Sequence, residues 1–480
     1  MIRPGLAPLL AALLAGCALG PRVVAPATPT SADAGFAAAT AQTASPDAPP
    51  ADWWRLYRDP VLDRLVGQAL IENNDLKAAA ANLAKARAVL QEARAGQFPS
   101  TQAQASATYG KSANANLVAG LQGAAAQPGW AFDGQFDVSY EVDLFGRIRR
   151  TVEAARADAD AVQAAQDVVR VTVAAETTRA YANACAYAEA ADVASSSAEA
   201  AQQLYDLTVR QRDLGARSDF EVASAGVVLS QARAAVPTLE GEQRASLFEL
   251  AVLTGRPPEE VSAEAAACRR PPQLSVLVPV GNGADLLKRR PDVRQAERTL
   301  AADTARIGVA EADLFPTVSL GGSVAQAGAN AAQLTSSRGF SWGLGPLVTW
   351  TFPNIAPARA RIGQARAQAS GDIARFDSAV LTALKEVEQG LTAYGSELQR
   401  HAQLQDARDQ SRRAFQLAQV QLDNGAIGFP DLLATERNFM QAESELATSD
   451  QLLVSDQVTV FKTLGGGWEQ APTVVPPKAP

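Results

Sequence analysis

FDGQFDVSYEVDLF, from Phe132 to Phe145, alternates with period two. Phe132, Gly134, Phe136, Val138, Tyr140, Val142 and Leu144 fall on one side, and Asp133, Gln135, Asp137, Ser139, Glu141 and Asp143 on the other. Such alternation gives a strand with one apolar and one polar face. The Ala-, Gln-, Glu- and Arg-rich sequence around it reads as helix. A two-faced strand in a mostly helical chain needs partners, and the chain supplies them. TQAQASATYG (Thr101–Gly110) puts Ala103, Ala105, Ala107 and Tyr109 on one face, and TVSLGGSV begins at Thr317. SWGLGPLVTWTF (Ser341–Phe352) lines up Trp342, Leu344, Pro346, Val348, Trp350 and Phe352.

Four strands of this length can each cross a bilayer when tilted. Backbone groups in lipid must all be paired, so strands span only as a closed barrel, and such barrels have at least eight strands. Four strands therefore either pool with those of other copies or form a small soluble sheet with one buried face. Pooling among three copies gives twelve strands, with apolar positions toward lipid and polar positions toward a water-filled lumen. Phe132, Tyr140, Phe145, Trp342, Trp350 and Phe352 would then serve as an interfacial aromatic girdle.

The chain is written twice. Phe98-Pro99 and Phe315-Pro316 lie 217 residues apart, each closing a helical run. YDLTVRQRDLGA (Tyr205–Ala216) matches FQLAQVQLDNGA (Phe415–Ala426) 210 residues later. Each half reads as helix, strand, loop, strand, long helix, Gly-Ala turn and return helix. Proline is absent from Ile148 to Asp213 and from Ala358 to Asp423. Each of these stretches is about 66 residues, roughly 100 Å as continuous helix. Long helices that turn at glycine and return suggest an antiparallel coiled coil.

Composition narrows the function. The chain has 480 residues, 47% hydrophobic and 20% charged, with net charge −8. That fits an ordered protein with no basic stripe for nucleic acid. One histidine (His401, read as a solvated helix position) and three cysteines leave little for a zinc site or for histidine catalysis. No phosphate-loop, HExxH or GxSxG motif is present. Arg3 followed by the apolar run Leu6–Leu14 reads as a signal peptide, too short to span a bilayer. Leu14-Ala15-Gly16-Cys17 resembles the lipobox of bacterial lipoproteins, which implies lipidation (palmitate among the acyl chains) at Cys17. Ala18, not Asp, follows it, which by the same resemblance favours the outer membrane. The Pro/Ala/Thr-rich stretch to about Pro50 reads as a tether.

Five features together carry a family resemblance: the lipobox, WWRLYRDPVLDRLV (Trp53–Val66), YEVDLFGRIRR (Tyr140–Arg150), LLKRRPDVRQAE (Leu286–Glu297) and GVAEADLFPTVSL (Gly308–Leu320). They resemble the outer-membrane factor lipoproteins of tripartite efflux systems, the TolC-like family and its NodT/OprM-type branch. The resemblance implies a mainly α fold with a small β part. The chain would be a homotrimer with a twelve-stranded transmembrane β-barrel, a long periplasmic α-helical barrel and an equatorial domain. It implies outer-membrane lipid, a periplasmic adaptor and an inner-membrane transporter, commonly of the resistance-nodulation-division type, as partners. A passive duct of this kind needs no cofactor or catalytic residue. The expected organisation is a signal peptide over 1–16, a lipidated tether over 17–52 and repeat 1 over 53–256. An equatorial segment over 257–285, repeat 2 over 286–467 and a tail over 468–480 follow. Strands are expected at about 101–110, 132–145, 317–326 and 340–353. Long helices are expected at about 147–213 and 357–424, and return helices at about 219–254 and 430–464.

Six residues past each turn glycine stands an acid, Glu221 and Asp431. In the family, acids just after this turn line a constricted periplasmic gate. Ala434 and Ile427 stand where some members carry a second acid and a base. Ser218-Asp219-Phe220-Glu221 is also a capping-box pattern, so helix capping is the competing role for both acids. With Cys17 lipidated, Cys185 and Cys268 remain; the oxidising periplasm permits a disulfide between them, and that pairing is the hypothesis. Competing functions are a structural coiled-coil envelope lipoprotein without a pore and a duct for protein (type I) secretion.

Overall fold

The computed structural model describes residues 19–21, 34–111, 121 and 127–477; Cys17 and the signal segment lie outside them. The α-helices longer than about one turn are α1 (Pro60–Glu72), α2 (Asn74–Ala95), α3 (Arg147–Asp213), α4 (Asp219–Leu253), α5 (Gly283–Arg289), α6 (Pro291–Ala312), α7 (Ala356–Asp423) and α8 (Phe429–Thr463). The strands are β1 (Ala44–Ser45), β2 (Ser100–Gly110), β3 (Gly129–Val142), β4 (Val278–Pro279), β5 (Thr317–Gly328) and β6 (Phe340–Thr349). Two compact units result, one from Met1–Pro26, Lys85–Ala161 and Glu297–Arg375, the other from Ala27–Ala84, Val162–Ala296 and Phe376–Pro480. The duplication is visible in the elements: α2 and α6 each have 22 residues, and α4 and α8 each have 35.

In the first unit the four long strands form one antiparallel sheet in the order β2-β3-β5-β6. Its central pair, β3 with β5, joins the two repeats. The register extends the period-two pattern across the whole sheet. Phe136 pairs with Ala103 on one side and Val324 on the other, and Val324 pairs with Trp342. Tyr140, Leu320 and Pro346 form a second such row. Directly paired residues share a face, so every strand contributes its apolar set to the same side. That side is bare, with Trp342 73% exposed and Leu344 81% exposed. The opposite face carries Gln104, Asp133, Asp137, Glu141 and Ser319. The outer edges of β2 and β6 have no strand partner among the described residues.

Two strands end earlier than the alternation predicts. β3 stops at Val142 because the Asp143 carboxylate turns to cap α3, accepting from Ile148 N (3.1 Å) and Arg149 N (2.9 Å). The expected strand to Phe145 is thereby shortened. β6 ends at Thr349, and Trp350 donates its indole N–H to Leu314 O at 3.1 Å instead of continuing the face.

The second unit holds a large apolar core around α1. Asp59 caps α1, accepting from Val61 N and Leu62 N, and the helix buries Leu62, Leu65, Val66, Ala69 and Leu70 on one stripe. Trp53 is fully buried and stacks on Phe461, ring centroids 4.7 Å apart. The tether expected up to about Pro50 is corrected for residues 34–52, which are packed against this unit. Phe36 and Ala44 are buried in the core, β1 pairs in parallel with β4, and the Glu388 carboxylate accepts from both Ala37 N and Ala38 N at 2.8 Å. A composition poor in large side chains hides this, because the segment is held by backbone bonds.

The repeats also share an anchor. Asn73, just before α2, donates to Leu253 O at the end of α4 (3.0 Å). Arg290, just before α6, donates to Thr463 O at the end of α8 (2.9 Å). Each closes its return helix by satisfying a terminal carbonyl that the helix cannot satisfy itself. Arg290 also holds Asp292 through two bonds (2.9 and 2.6 Å) and Glu386 at 2.8 Å.

Candidate functional site

Both long helices end in the same turn. At the end of α3, Ala216 N donates to Gln211 O (2.8 Å) and Gly215 N to Arg212 O (2.8 Å). At the end of α7, Ala426 N donates to Gln421 O (2.8 Å) and Gly425 N to Leu422 O (2.9 Å). This is the Schellman pattern, which needs a left-handed residue. Gly215 (φ +74°) and Gly425 (φ +68°) supply it.

The acids beyond the turns are placed alike and partnered differently. Glu221 accepts from Ser218 N at 2.8 Å, while Ser218 Oγ accepts from Glu221 N, completing the capping box. Glu221 also pairs with Arg217 at 2.8 Å. The Ser218 backbone bond first, and Arg217 second, hold this carboxyl below its ordinary range. Asp431 accepts from Gly428 N at 3.1 Å. Gly428 has no side chain to reciprocate, and Asp431 makes no ion pair among the described residues. The difference comes from the position six residues after the Gln of each turn. It is Arg217 in repeat 1 and Ile427 in repeat 2, where Ile427 packs into an apolar cluster.

Arg217 also crosses between repeats. Its guanidinium lies 4.8 Å from the ring centre of Phe429 at the start of α8, a cation–π contact. Phe429 is buried with Leu432 and Leu433 of α8 and with Val228 and Leu229 of α4. The turn ends are thus clamped by an apolar cluster under a charged lid. The periodicity of one helix gives no sign of this contact, since its members are 212 residues apart. Glu436 in the same region is buried as well; nothing in the sequence pattern marks it out.

The remaining candidates lie elsewhere. Cys185 on α3 and Cys268 are joined by a disulfide, S–S 2.06 Å with Cα atoms 5.0 Å apart. Arg269–Asp192 (3.6 Å) and Arg270–Glu189 (3.8 Å) flank it. His401, expected on a solvated helix face, instead pairs through Nε2 with Asp450 at 2.7 Å and links α7 to α8. Next to the undescribed Cys17, Leu19 O and Gly20 O accept from Arg150 at 2.9 and 3.1 Å, and Leu19 N donates to Phe145 O at 3.5 Å. Leu19 and Gly20 are therefore pinned where β3 gives way to α3. Among the described residues no cluster of His, Cys, Asp or Glu is arranged to hold a metal. No described helix is long and apolar enough to cross a membrane.

The family described as outer membrane efflux protein matches this chain twice, over residues 65–256 and 283–466. Nodulation protein T of Rhizobium leguminosarum bv. viciae is 29% identical over 477 residues, covering 98% of this chain and 95% of that protein. The solvent efflux pump outer membrane protein SrpC of Pseudomonas putida is 30% identical over 489 residues, covering 95% of this chain and 96% of its own. Among solved structures, the outer-membrane channel OprN superposes with a TM-score of 0.85 at 33% identity, covering 94% of this chain and 100% of its own.

Proposed function

This chain belongs to the outer membrane efflux protein family, and from that premise we infer the assembly through which it works. It is an outer-membrane channel of a tripartite efflux pump, a passive duct and not an enzyme. The observation that carries the assembly is the sheet, with one continuous bare apolar face and two open edges. In lipid those edges must be paired. Two copies would give eight strands, whose interior is filled by side chains. Three copies, β6 of one against β2 of the next, give twelve strands and room for a lumen. Gln104, Asp133, Asp137 and Glu141 then face water, and the edge problem of the single chain disappears. A pore-free coiled-coil brace would have no use for such a sheet.

The helical hairpins extend into the periplasm, where an adaptor protein joins the duct to an inner-membrane transporter of the resistance-nodulation-division type. The transporter supplies the energy. Residues 1–16 are a signal peptide and Cys17 carries the lipid. The hold of Arg150 on Leu19 and Gly20 supports this: two residues reach about 7 Å, so the lipid enters the bilayer that the strands cross. Mass spectrometry of the mature N-terminus checks it; an unmodified cysteine would exclude the anchor.

Asp431 is the gate acid, set at the periplasmic end after the Gly425 turn and lacking the arginine that occupies Glu221. Glu221 is mainly a helix cap. Three Asp431 carboxylates around a narrow end favour cations and resist close packing. Purified protein in planar bilayers tests both levels. The Asp431→Ala channel should conduct several-fold more than wild type and admit bulkier antibiotics in cells. Equal conductance removes the gate role, and absence of any single-channel current removes the channel.

A further inference from the structure

Glu436 lies on α8 at 2% exposure, and its Oε2 has no hydrogen-bond partner. It shares a helix face with Leu432, Leu433 and Met440, the spacing of one buried stripe. Those residues pack in the apolar cluster that joins α8 to α3, α4 and α7 beside the two turns. Its counterpart in repeat 1, 210 residues earlier, is Gly226, where an added Cβ would meet the Tyr205 ring at 3.5 Å. One repeat fills this level with an aromatic ring against a glycine; the other buries a carboxyl there.

We propose that Glu436 is a proton-operated latch on the packing of the turn end, closed while its carboxyl is neutral and loosened when ionisation draws in water. An isolated carboxylate in apolar surroundings is too costly to keep dry, so it must either hold its proton or be hydrated. The titratable ring in the cluster is Tyr205 of α3. The charged groups on the neighbouring stretches are engaged elsewhere. Asp206 of α3 and Arg233 of α4 both bind Gln202. Arg412 of α7 pairs with Glu443 of α8, and Arg437 of α8 donates to Leu433 O. Nearer the turn, Arg217 is held by Glu221 and Asp431 by Gly428 N. Burial alone therefore acts on Glu436 and pushes its pKa up to about 7.

The sign follows from the direction of that shift. Below pH 4.5 the carboxyl is neutral whether packed or hydrated. From there to about 7 the hydrated form ionises while the packed form must keep its proton. Each pH unit in this window moves the equilibrium about tenfold toward the loosened state, and above it the effect levels off.

Hydrogen exchange of the full-length protein in detergent, read on peptides covering 429–445 and corrected for intrinsic pH dependence, tests the latch. Wild-type opening should rise about tenfold per unit from pH 5 to about 7 and then plateau. Glu436→Gln, which cannot ionise, should give a flat profile, and so should the apolar Glu436→Leu. A flat wild-type profile overturns the proposal, as does a variant that keeps the wild-type slope. If neither variant assembles, the wild-type profile decides by itself. The exchange profile does not rest on the channel reading. A pH-dependent latch without current would therefore remove the duct and leave the latch standing.

Discussion

Phe136→Arg is expected to abolish stable assembly, while Asp137→Asn, one residue along, leaves it intact. Phe136 sits in the middle of the apolar face, in the row that runs from Ala103 through Val324 to Trp342. In a closed barrel that row faces lipid near mid-membrane, where an arginine costs about 2–4 kcal/mol per copy. Three copies repeat the penalty in one cooperative structure. Asp137 points to the other face, where loss of its charge in water stays within about 0.5 kcal/mol. The assembled species on unheated detergent gels, with its urea midpoint, measures both. Equal loss in the two variants would mean that the faces are not separated by lipid and water. Equal tolerance would mean that the apolar face is covered by protein.

Arg290→Ala should lower folding stability by about 2–4 kcal/mol, the cost of losing several charge-assisted hydrogen bonds from a buried guanidinium, while its carboxylate partners, 35% and 38% exposed, stay hydrated. Arg290 is 8% exposed, and one side chain serves Asp292, Glu386 and Thr463 O. Without it two carboxylates face each other and the end of α8 loses its carbonyl donor. Arg290→Lys should recover little, because an ammonium cannot reproduce the planar fork. Asn73→Ala, at the matching place in repeat 1, removes three neutral bonds and should cost less, about 1–3 kcal/mol. Equilibrium urea unfolding distinguishes them. A loss below about 1 kcal/mol for Arg290→Ala would show that the end of α8 is held by packing alone.

How much of this was legible depended on the distance over which each signal acts. The long helices and their turns could be read because absent proline, Gly215 and Gly425 act within a few residues. The faces of the four strands could be read because period two is local and the register keeps it in phase. Strand ends could not, since Asp143 fits the polar side of the alternation and only its bonds to Ile148 N and Arg149 N reveal a cap. The packed segment at 34–52 was hidden because its hold on Glu388 runs through backbone N–H groups, which no composition reports. At the candidate site, the positions of Glu221 and Asp431 were readable from the duplication. Their different environments were not, because the contact of Arg217 with Phe429 crosses from one repeat to the other. Arg290 stood in a recognisable motif beside Asp292, yet its other two partners, Glu386 and Thr463 O, come from α7 and α8, far along the chain.

The pairing of β3 with β5 carries a consequence for the order of events in the cell. The first repeat supplies only a two-stranded hairpin, and one side of β3 waits for a partner that begins at Thr317, 175 residues after Val142. At synthesis rates of about 5–20 residues per second, that interval is roughly 9–35 s. A hairpin that formed before then would expose a long amphipathic edge, the kind of surface that templates aggregation. The duplication that lets one chain supply a third of a barrel also delays burial of that chain's own central seam until its second half arrives.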